Sequence, residues 1–377
     1  MENVAKPGSG RLESLDVLRG IDMFFILGFA SVVTAFCQAM GWGTNCFLAH
    51  QMEHVPWNGL VQHDTIFPIF LFIAGVAWPF SCAKALERGK TRGQIVLRCL
   101  RRALLLALLG IIYGNILRDF SAPRVSSVLL RIGFAWFAAA ILQLFLGVRA
   151  RVAVCAGILL GYWALMVGVG APDHPEADHL SVAGNISGWI DRNFLPGRIM
   201  GPEGLMDNQS TLGIFPAIVT AMLGVFTGEY VRGAHAQGAR RIVVLLLAAA
   251  GLAALGLFVA YGCGRWSMPI NKRLWSTSFT LVVGGISVAA FAVVYALVDV
   301  WGVWRHTLFF RVIGVNSIVA YMAPIFIPFS RIAENLLGGL AGTMPSAWGT
   351  VLLRTGTLLT AWAFLWFLDR RRIYLKI

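Results

Sequence analysis

Long apolar runs constrain this chain more than any other feature. About ten segments of roughly 20 residues contain few charged side chains, which is the length a helix needs to cross a hydrocarbon core about 30 Å thick. The runs are unbroken, whereas the strands of a membrane barrel would alternate apolar and polar residues. The sequence therefore predicts an all-α, polytopic transmembrane helical bundle. The expected spans are 18–40, 64–83, 97–115, 126–146, 152–169, 211–231, 242–262, 274–298, 312–328 and 346–368.

Composition points to the same class. Of the 377 residues, 58% are hydrophobic and only 13% are charged, and the mean hydropathy is +0.72. Water-soluble domains contain about 25% charged residues. We therefore expect one transmembrane domain over residues 1–377. Within it, the polar segment 170–210 contains four prolines and is expected to form an extracytoplasmic loop.

Lysine and arginine are distributed unevenly between the predicted loops. If the amino terminus is cytoplasmic, the inner loops hold most of them, so the positive-inside rule predicts that both termini are cytoplasmic. The net charge of +13 then reflects topology and attraction to anionic lipids of the bilayer, and no soluble domain remains to bind nucleic acid. The inner-loop residues include Lys6, Arg11, Arg98, Arg101, Arg102, Arg305, Arg370 and Lys376.

A dense polar cluster, residues 53–68, lies on the predicted outer side just before the second span. A histidine is a competent general base at neutral pH, and a carboxylate can fix its tautomer, so His54 and Asp64 form a plausible base and orienting group. The plainer interpretation is that Asp64 caps the second helix while His54, His63 and Trp57 are interfacial residues. The residues alone leave both interpretations open.

Several motifs resemble the heparan-α-glucosaminide N-acetyltransferase family of polytopic membrane acyltransferases, and the chain looks closest to bacterial members of unassigned substrate. They occur in the family's order and run from residue 11 to about 320. The pair HxxWNG and DxxFP is the most specific. The matching stretches are RLESLDVLRG at 11–20, HVPWNGL at 54–60, DTIFP at 64–68, PEG at 202–204, NKRLWS at 271–276, and Asn316–Ser317.

The resemblance implies transfer of an acetyl group from cytosolic acetyl-CoA to an amino sugar or sugar hydroxyl at the far face of a cell membrane, here the inner membrane of a bacterium. The family's catalytic histidine corresponds to His54, as general base or transient acetyl carrier, with Asp64 in support. Two departures concern the acceptor. Ala30 stands where the glucosaminide enzyme has an asparagine, and Gly201 stands where many relatives have an aspartate.

Other residues receive roles from the chemistry of acyl transfer. A thioester is already activated, so the enzyme must position the acceptor, remove its proton and stabilise an oxyanion. The candidates for substrate binding are Trp57, Asn58, Glu203, Asn271 and Lys272. Those for binding acetyl-CoA are Arg19, Asn316 and Arg131. For Lys272, contact with lipid headgroups is the plainer alternative.

Ionisable and amide groups within the predicted spans, Asp22, Arg131, Asn316 and Arg354, suggest a polar path through the bundle, because charges are costly in a bilayer. An internal Asp22–Arg131 ion pair is the alternative explanation. In another class of function, a secondary transporter, Asp22, Arg131 and His54 would form a relay. Neither an internal repeat nor a matching pair of interrupted helices supports a transporter.

The six cysteines are scattered without metal-ligand spacing, so we expect no metal cofactor. Cys37, Cys46 and Cys263 lie near the predicted outer face, where two of them could form one disulfide. The sequence is compatible with both a monomer and a homodimer, because lipid-facing surfaces and dimer interfaces have similar compositions.

Overall fold

The computed structural model describes residues 12–116, 122–233, 238–302 and 307–375. Within these ranges the chain is helical and contains only two isolated β-bridges. The helices, labelled α1 to α15 in chain order, are Glu13–Phe24, Ala30–Ala39, Phe47–Gln51, Gln62–Glu87, Arg92–Asn115, Val128–Phe145, Val148–Gly168, Ile186–Phe194, Ile214–Arg232, Ala239–Tyr261, Thr277–Tyr295, Leu308–Val315, Ser317–Phe326, Phe329–Gly342 and Ser346–Arg370.

The all-α transmembrane bundle is confirmed. In the described part of the chain, eight helical segments are long and apolar enough to cross a bilayer, and each coincides with a predicted span. One is the continuous segment Glu13–Ala39, in which a π-helical stretch, Phe25–Phe29, joins α1 to α2. The others are α4, α6, α7, α9, α10, α11 with its extension to Val300, and α15.

Two predicted spans differ from the structure. The segment 97–115 lies within α5, a 24-residue helix whose first half carries Arg98, Arg101 and Arg102 and which is too charged to match the eight apolar spans. The segment 312–328 is divided between α12 and α13, which meet at 74°. The bend occurs at Asn316, whose backbone (φ −113°, ψ 28°) is not helical. The helix α13 ends at Phe326, because Pro328 has no N–H to donate into a continuing helix. A separate helix, α14, starts directly after Pro328.

Glycines allow several helices to pack backbone against backbone. Gly224 on α9 faces α4 so closely that an added Cβ would lie 2.1 Å from the carbonyl oxygen of Phe72. Gly20 on α1 is similarly placed against α12, where a Cβ would lie 1.9 Å from the carbonyl oxygen of Phe310. Small residues at such crossings are typical of membrane helix packing, because they increase contact area where no hydrophobic effect drives association.

The bundle has two chemically different ends. At the end where α4 stops and α5 begins, Arg98 and Arg102 approach Arg19 around one cavity, and we call this the arginine end. We call the opposite end, where α4 begins, the histidine end. The cytoplasmic placement of both termini stays a prediction, and four residues that support it, Lys6, Arg11, Arg305 and Lys376, lie outside the described residues.

The segment 170–210 contains the short helix α8 and is bonded to the histidine end of the bundle. Arg124 forms an ion pair with Asp207 at 3.2 Å. The Asp191 carboxylate accepts hydrogen bonds from the backbone N–H groups of Asp207 and Thr211. Burial raises the pKa of Asp191, and these hydrogen bonds oppose that effect. The loop therefore has its own polar core beside the predicted site.

Candidate active site

His54 lies in an irregular segment between α3 and α4, and Asp64 lies in the first turn of α4. The helix begins at Gln62, and the preceding residue, Val61, makes no side-chain cap. Asp64 is therefore not the helix cap that the plainer interpretation of the sequence assigned to it. Its carboxylate points instead to the preceding segment, where it accepts hydrogen bonds from the His54 ring and from the backbone N–H of Val55.

The His54–Asp64 contact has the geometry of a base and its orienting carboxylate. His54 Nδ1 lies 2.7 Å from Asp64 Oδ1; the Asp64 side chain is 1% exposed, whereas that of His54 is 51% exposed. A buried carboxylate at this distance favours the tautomer in which Nδ1–H donates to Asp64. The other ring nitrogen, Nε2, then keeps its lone pair and is able to accept a proton from a substrate.

Lys272 completes a cluster of three ionisable groups. Its ammonium nitrogen lies 3.2 Å from Asp64 Oδ1 and 3.1 Å from His54 Nδ1. A ring nitrogen that donates to Asp64 has no lone pair for the ammonium, so the ion pair with Asp64 is the attractive contact. Burial lowers the pKa of Lys272, and the Asp64 carboxylate opposes that shift. Lys272 thus lies at the candidate site, which the headgroup interpretation did not anticipate.

Two asparagines join the HxxWNG segment to the segment before α11. Asn271 Nδ2 donates to Asn58 Oδ1 at 3.0 Å, and Asn271 Oδ1 accepts from the backbone N–H of Leu274. Gly59 supports the same junction: its N–H donates to the carbonyl of Ile270 at 2.8 Å, and its φ of +126° favours glycine. Both predicted substrate-binding asparagines therefore hold the two segments together beside His54.

The remaining predicted substrate-binding residues lie in different surroundings. The indole N–H of Trp57 donates to the carbonyl of Leu180 at 2.9 Å, so it connects the site to the 170–210 loop and is not free to stabilise an oxyanion. Glu203 is exposed in a short turn with a left-handed backbone (φ 53°). The structure describes no hydrogen bond or ion pair between Glu203 and His54, Asp64 or Lys272.

The predicted cofactor-binding residues separate into two groups. Arg19 lines a cavity of about 330 Å³ at the arginine end, which also contacts Ser317. The neighbouring Asn316 is buried, and neither atom of its amide group has a hydrogen-bond partner among the described residues. Arg131 lies elsewhere, because it donates to the carbonyl of Ser210 at 2.7 Å.

Arg131 and Asp22 do not form the internal ion pair that was the alternative explanation for charges in the spans. The guanidinium of Arg131 stacks over the Trp275 ring at 5.0 Å. Asp22 is buried, and its Oδ2 has no hydrogen-bond partner in the described structure. The ion-pair interpretation is therefore wrong. The placement also leaves Arg131 outside the cavity that Arg19 lines.

Three separate cavities lie between the arginine end and the start of α4. A basic cavity of about 400 Å³ is lined by Lys90, Arg98, Arg101 and Arg102. It shares Arg98 and Arg102 with the cavity that Arg19 lines. A small apolar cavity of about 40 Å³ continues from the latter, sharing Phe70 and Ser317, as far as Ile66 and Phe67. These two residues follow Asp64 closely on α4, so the cavities form a discontinuous path toward His54.

His63, which the sequence suggested only as an interfacial residue, also lies beside His54. Its ring centroid lies 4.7 Å from that of His54, and the side chain lines a separate groove of about 610 Å³. The signal in the sequence was the position of His63 directly before Asp64. In the described ranges, no group of three or more histidine, cysteine, aspartate or glutamate residues could hold a metal ion.

Comparison with known proteins gives two relatives. One is human heparan-alpha-glucosaminide N-acetyltransferase, 28% identical over 375 residues that cover 85% of this chain. The other is the mouse protein of the same name, 27% identical over 365 residues that cover 83% of this chain. Over most of its length, the chain is similar to these two N-acetyltransferases. No protein-family model matches the chain.

The similarity to heparan-α-glucosaminide N-acetyltransferase confirms the resemblance inferred from the motifs. Together with the apolar helices, it identifies a multi-pass membrane protein. The chain spans about half the length of these relatives, 55% of the human protein and 54% of the mouse protein.

Proposed function

We propose that this chain is a membrane acetyltransferase that moves an acetyl group from acetyl-CoA to an amine or hydroxyl of a sugar at the histidine end. The main support is the half-exposed side chain of His54, whose Nδ1 is held by the buried Asp64 at 2.7 Å. The similarity to two N-acetyltransferases supports the same reaction class. The arginine end would face the cytoplasm of a bacterium, and the histidine end would face outward.

In the proposed reaction, His54 is the general base. The acceptor nitrogen or oxygen attacks the thioester carbonyl carbon while its proton passes to His54 Nε2. The tetrahedral intermediate then collapses, the carbon–sulfur bond breaks, and CoA leaves as the thiolate, which takes up the proton. Asp64 stabilises the imidazolium, and the Lys272 ammonium, 3.2 Å from Asp64 and 3.1 Å from His54 Nδ1, supplies a positive charge beside the reacting atoms.

The donor would bind from the arginine end. Acetyl-CoA carries several phosphate charges at one end and its thioester at the other. Arg19, Arg98 and Arg102 surround one cavity and suit the phosphates. The apolar cavity past Phe70 and Phe67 suits the uncharged arm. The buried amide of Asn316, which has no hydrogen-bond partner in the described ranges, is a hydrogen-bonding group for that arm.

The decisive experiment is His54→Ala in the full-length protein purified in detergent, with release of the CoA thiol and acetylation of glucosamine both measured. We expect turnover to fall by at least about 10²-fold, the usual contribution of a general base, while acetyl-CoA binding is retained. The matched control is His50→Ala, at an exposed position on α3. Near-normal turnover in His54→Ala would contradict the assignment.

The same preparation tests two other mechanisms. A burst of CoA release before acceptor acetylation, with an isolable acetyl-His54, would identify His54 as a nucleophile that carries the acetyl group. Solute movement in proteoliposomes without thioester consumption would identify a transporter. Direct transfer predicts neither result.

A further inference from the structure

The groove beside His63 lies at the histidine end, between α2 and α15. Its volume of about 610 Å³ is within the range of small-molecule sites, about 300–1,000 Å³. The groove reaches His63, whose ring neighbours that of His54, with centroids 4.7 Å apart. The polar side chains that line it are Ser31, Thr34, Gln38, His63, Thr350 and Arg354.

Arg354 gives this groove a net positive character. It is exposed on α15, within a segment that is long and apolar enough to span a bilayer. No carboxylate lines the groove, and Arg354 has no ion-pair partner among the described residues. A guanidinium in that setting is costly unless an anion meets it, and it matches the oxygens of a phosphate.

Arg354 lies on α15 within reach of the expected bilayer interface. Trp348 on the same helix and Trp42 both contact the Phe36 ring, at centroid distances of 6.0 Å, and exposed tryptophans of this kind lie at the bilayer interface. Arg354 follows Trp348 by six residues, roughly 9 Å along the helix. Its Cβ points back toward the N-terminal end of α15, so the guanidinium extends toward the interface.

One part of the groove is apolar and lies where the first span is interrupted. Gly28, at φ +143°, is non-helical within the π-helical stretch Phe25–Phe29, and the adjacent Phe25 and Ile26 line the groove. Ile26 is 40% exposed on the surface of the bundle. The groove is therefore open toward the hydrocarbon region on one side and ends near His54 on the other.

We propose that the acceptor is a sugar attached through a phosphate to a lipid, entering sideways from the membrane. The phosphate lies on Arg354, the lipid chain lies along Phe25 and Ile26, and the sugar lies between Ser31 and Thr34 with its reacting amine or hydroxyl at His54. This inference rests on the proposed function and specifies its acceptor. The balanced step is unchanged: a bond from acceptor to carbonyl carbon forms, the carbon–sulfur bond breaks, and CoA leaves as the thiol.

Three synthetic acceptors test the proposal in full-length protein reconstituted in phosphatidylcholine nanodiscs. They are glucosamine 1-(dodecyl phosphate), the neutral dodecyl glucosaminide, and the lipid-free glucosamine 1-phosphate. We expect kcat/KM for the lipid phosphate to exceed that for each of the others at least tenfold. Arg354→Gln should remove most of the advantage over dodecyl glucosaminide and leave the neutral acceptor unchanged. Arg265→Gln, at an exposed arginine of the same end, is the matched control.

Two results would overturn the inference. One is equal use of the lipid phosphate by the wild type and Arg354→Gln; the other is use of glucosamine 1-phosphate as efficiently as the lipid phosphate, which would identify a free sugar phosphate as the acceptor.

Binding of dodecyl phosphate without acetyl-CoA, with empty nanodiscs as the blank, separates this inference from the proposed function. Weaker binding to Arg354→Gln together with no acetyl transfer by the wild type would support the anionic-lipid site and reject the transferase. Equal binding to both proteins would reject the lipid site even if acetyl transfer occurs.

Discussion

Asp64 and Lys272 are 208 positions apart in the sequence, yet the lysine ammonium lies 3.2 Å from the aspartate carboxylate. Asp64 is almost completely buried, and isolated buried charges are unfavourable, so each member of the pair depends on the other. The pair also fixes the position of His54, whose Nδ1 shares the same carboxylate oxygen. His54 is therefore held by contacts from two distant parts of the chain.

Asp64→Asn should reduce catalysis without abolishing the fold. The amide keeps the shape of the side chain but loses the charge that stabilises an imidazolium, and it can present its N–H₂ to His54 and favour the wrong tautomer. We expect kcat to fall about 10²-fold, with the KM for acetyl-CoA nearly unchanged. Steady-state kinetics would measure this, and an unchanged kcat would show that His54 works without the carboxylate.

The free energy of unfolding should depend on Lys272 at alkaline pH. Because burial lowers the pKa of Lys272, the folded protein releases this proton at a lower pH than the unfolded chain, for which the pKa is about 10.4. Between the two pKa values the unfolded state binds more protons, so this group makes the free energy of unfolding rise with pH.

Lys272→Met should remove that contribution. We expect the Tm of the wild type, measured in detergent, to improve relative to that of Lys272→Met as the pH rises from about 8 toward about 10.4. The control is Lys84→Met, at an exposed position near the end of α4. A Tm difference that stays constant across this interval would contradict the lowered pKa.

Arg102→Gln should weaken donor binding selectively. The guanidinium lies over the Trp136 ring at 4.3 Å and lines both basic cavities. Losing one charge-assisted contact to a phosphate should raise the KM for acetyl-CoA about tenfold. Acetyl-pantetheine has no phosphate and should show no change. Arg92→Gln, at an exposed position outside both cavities, is the control, and an equal effect on both donors would reject a phosphate site.

Gly224→Ala should destabilise the bundle, because the added Cβ would lie 2.1 Å from the Phe72 carbonyl oxygen on α4. Overpacking of this kind costs about 1–3 kcal/mol or more. We expect a Tm several degrees lower in detergent. Gly157→Ala is the control, since nothing lies within 4 Å of its added Cβ, and alanine should there be neutral or slightly stabilising. Equal Tm values for the two variants would show that α4 and α9 are not in close contact.

The helices were predictable from the sequence because a span is defined by the average of about 20 residues. Single-residue interruptions were not, since averaging conceals them. The left-handed Gly28 in the first span and the non-helical Asn316 between α12 and α13 are both of this kind. Each is fixed by how neighbouring helices pack, which hydropathy does not report.

The site was predictable where its residues are close in sequence. His54 and Asp64 lie ten residues apart and were expected to interact, whereas the partnership with Lys272 depends on the segment before α11 folding back to the HxxWNG segment through Asn58 and Asn271. Arg131 is a residue for which the sequence suggested a role that its contacts do not support. Its charge within a span suggested a cofactor role, but the direction of its side chain, toward Ser210, is decided by the loop that covers it.

The length of helix α4 constrains the length of the proposed acyl donor. It carries Asp64 at one end and, 17 residues later, Ser81 in the wall of the basic cavity, a separation of roughly 26 Å along the axis. If the phosphates lie at the Ser81 end of the basic cavity, the donor must extend by about this distance to place its thioester beside His54. A donor that is held by its phosphates is therefore selected by its length as well as by its acyl group.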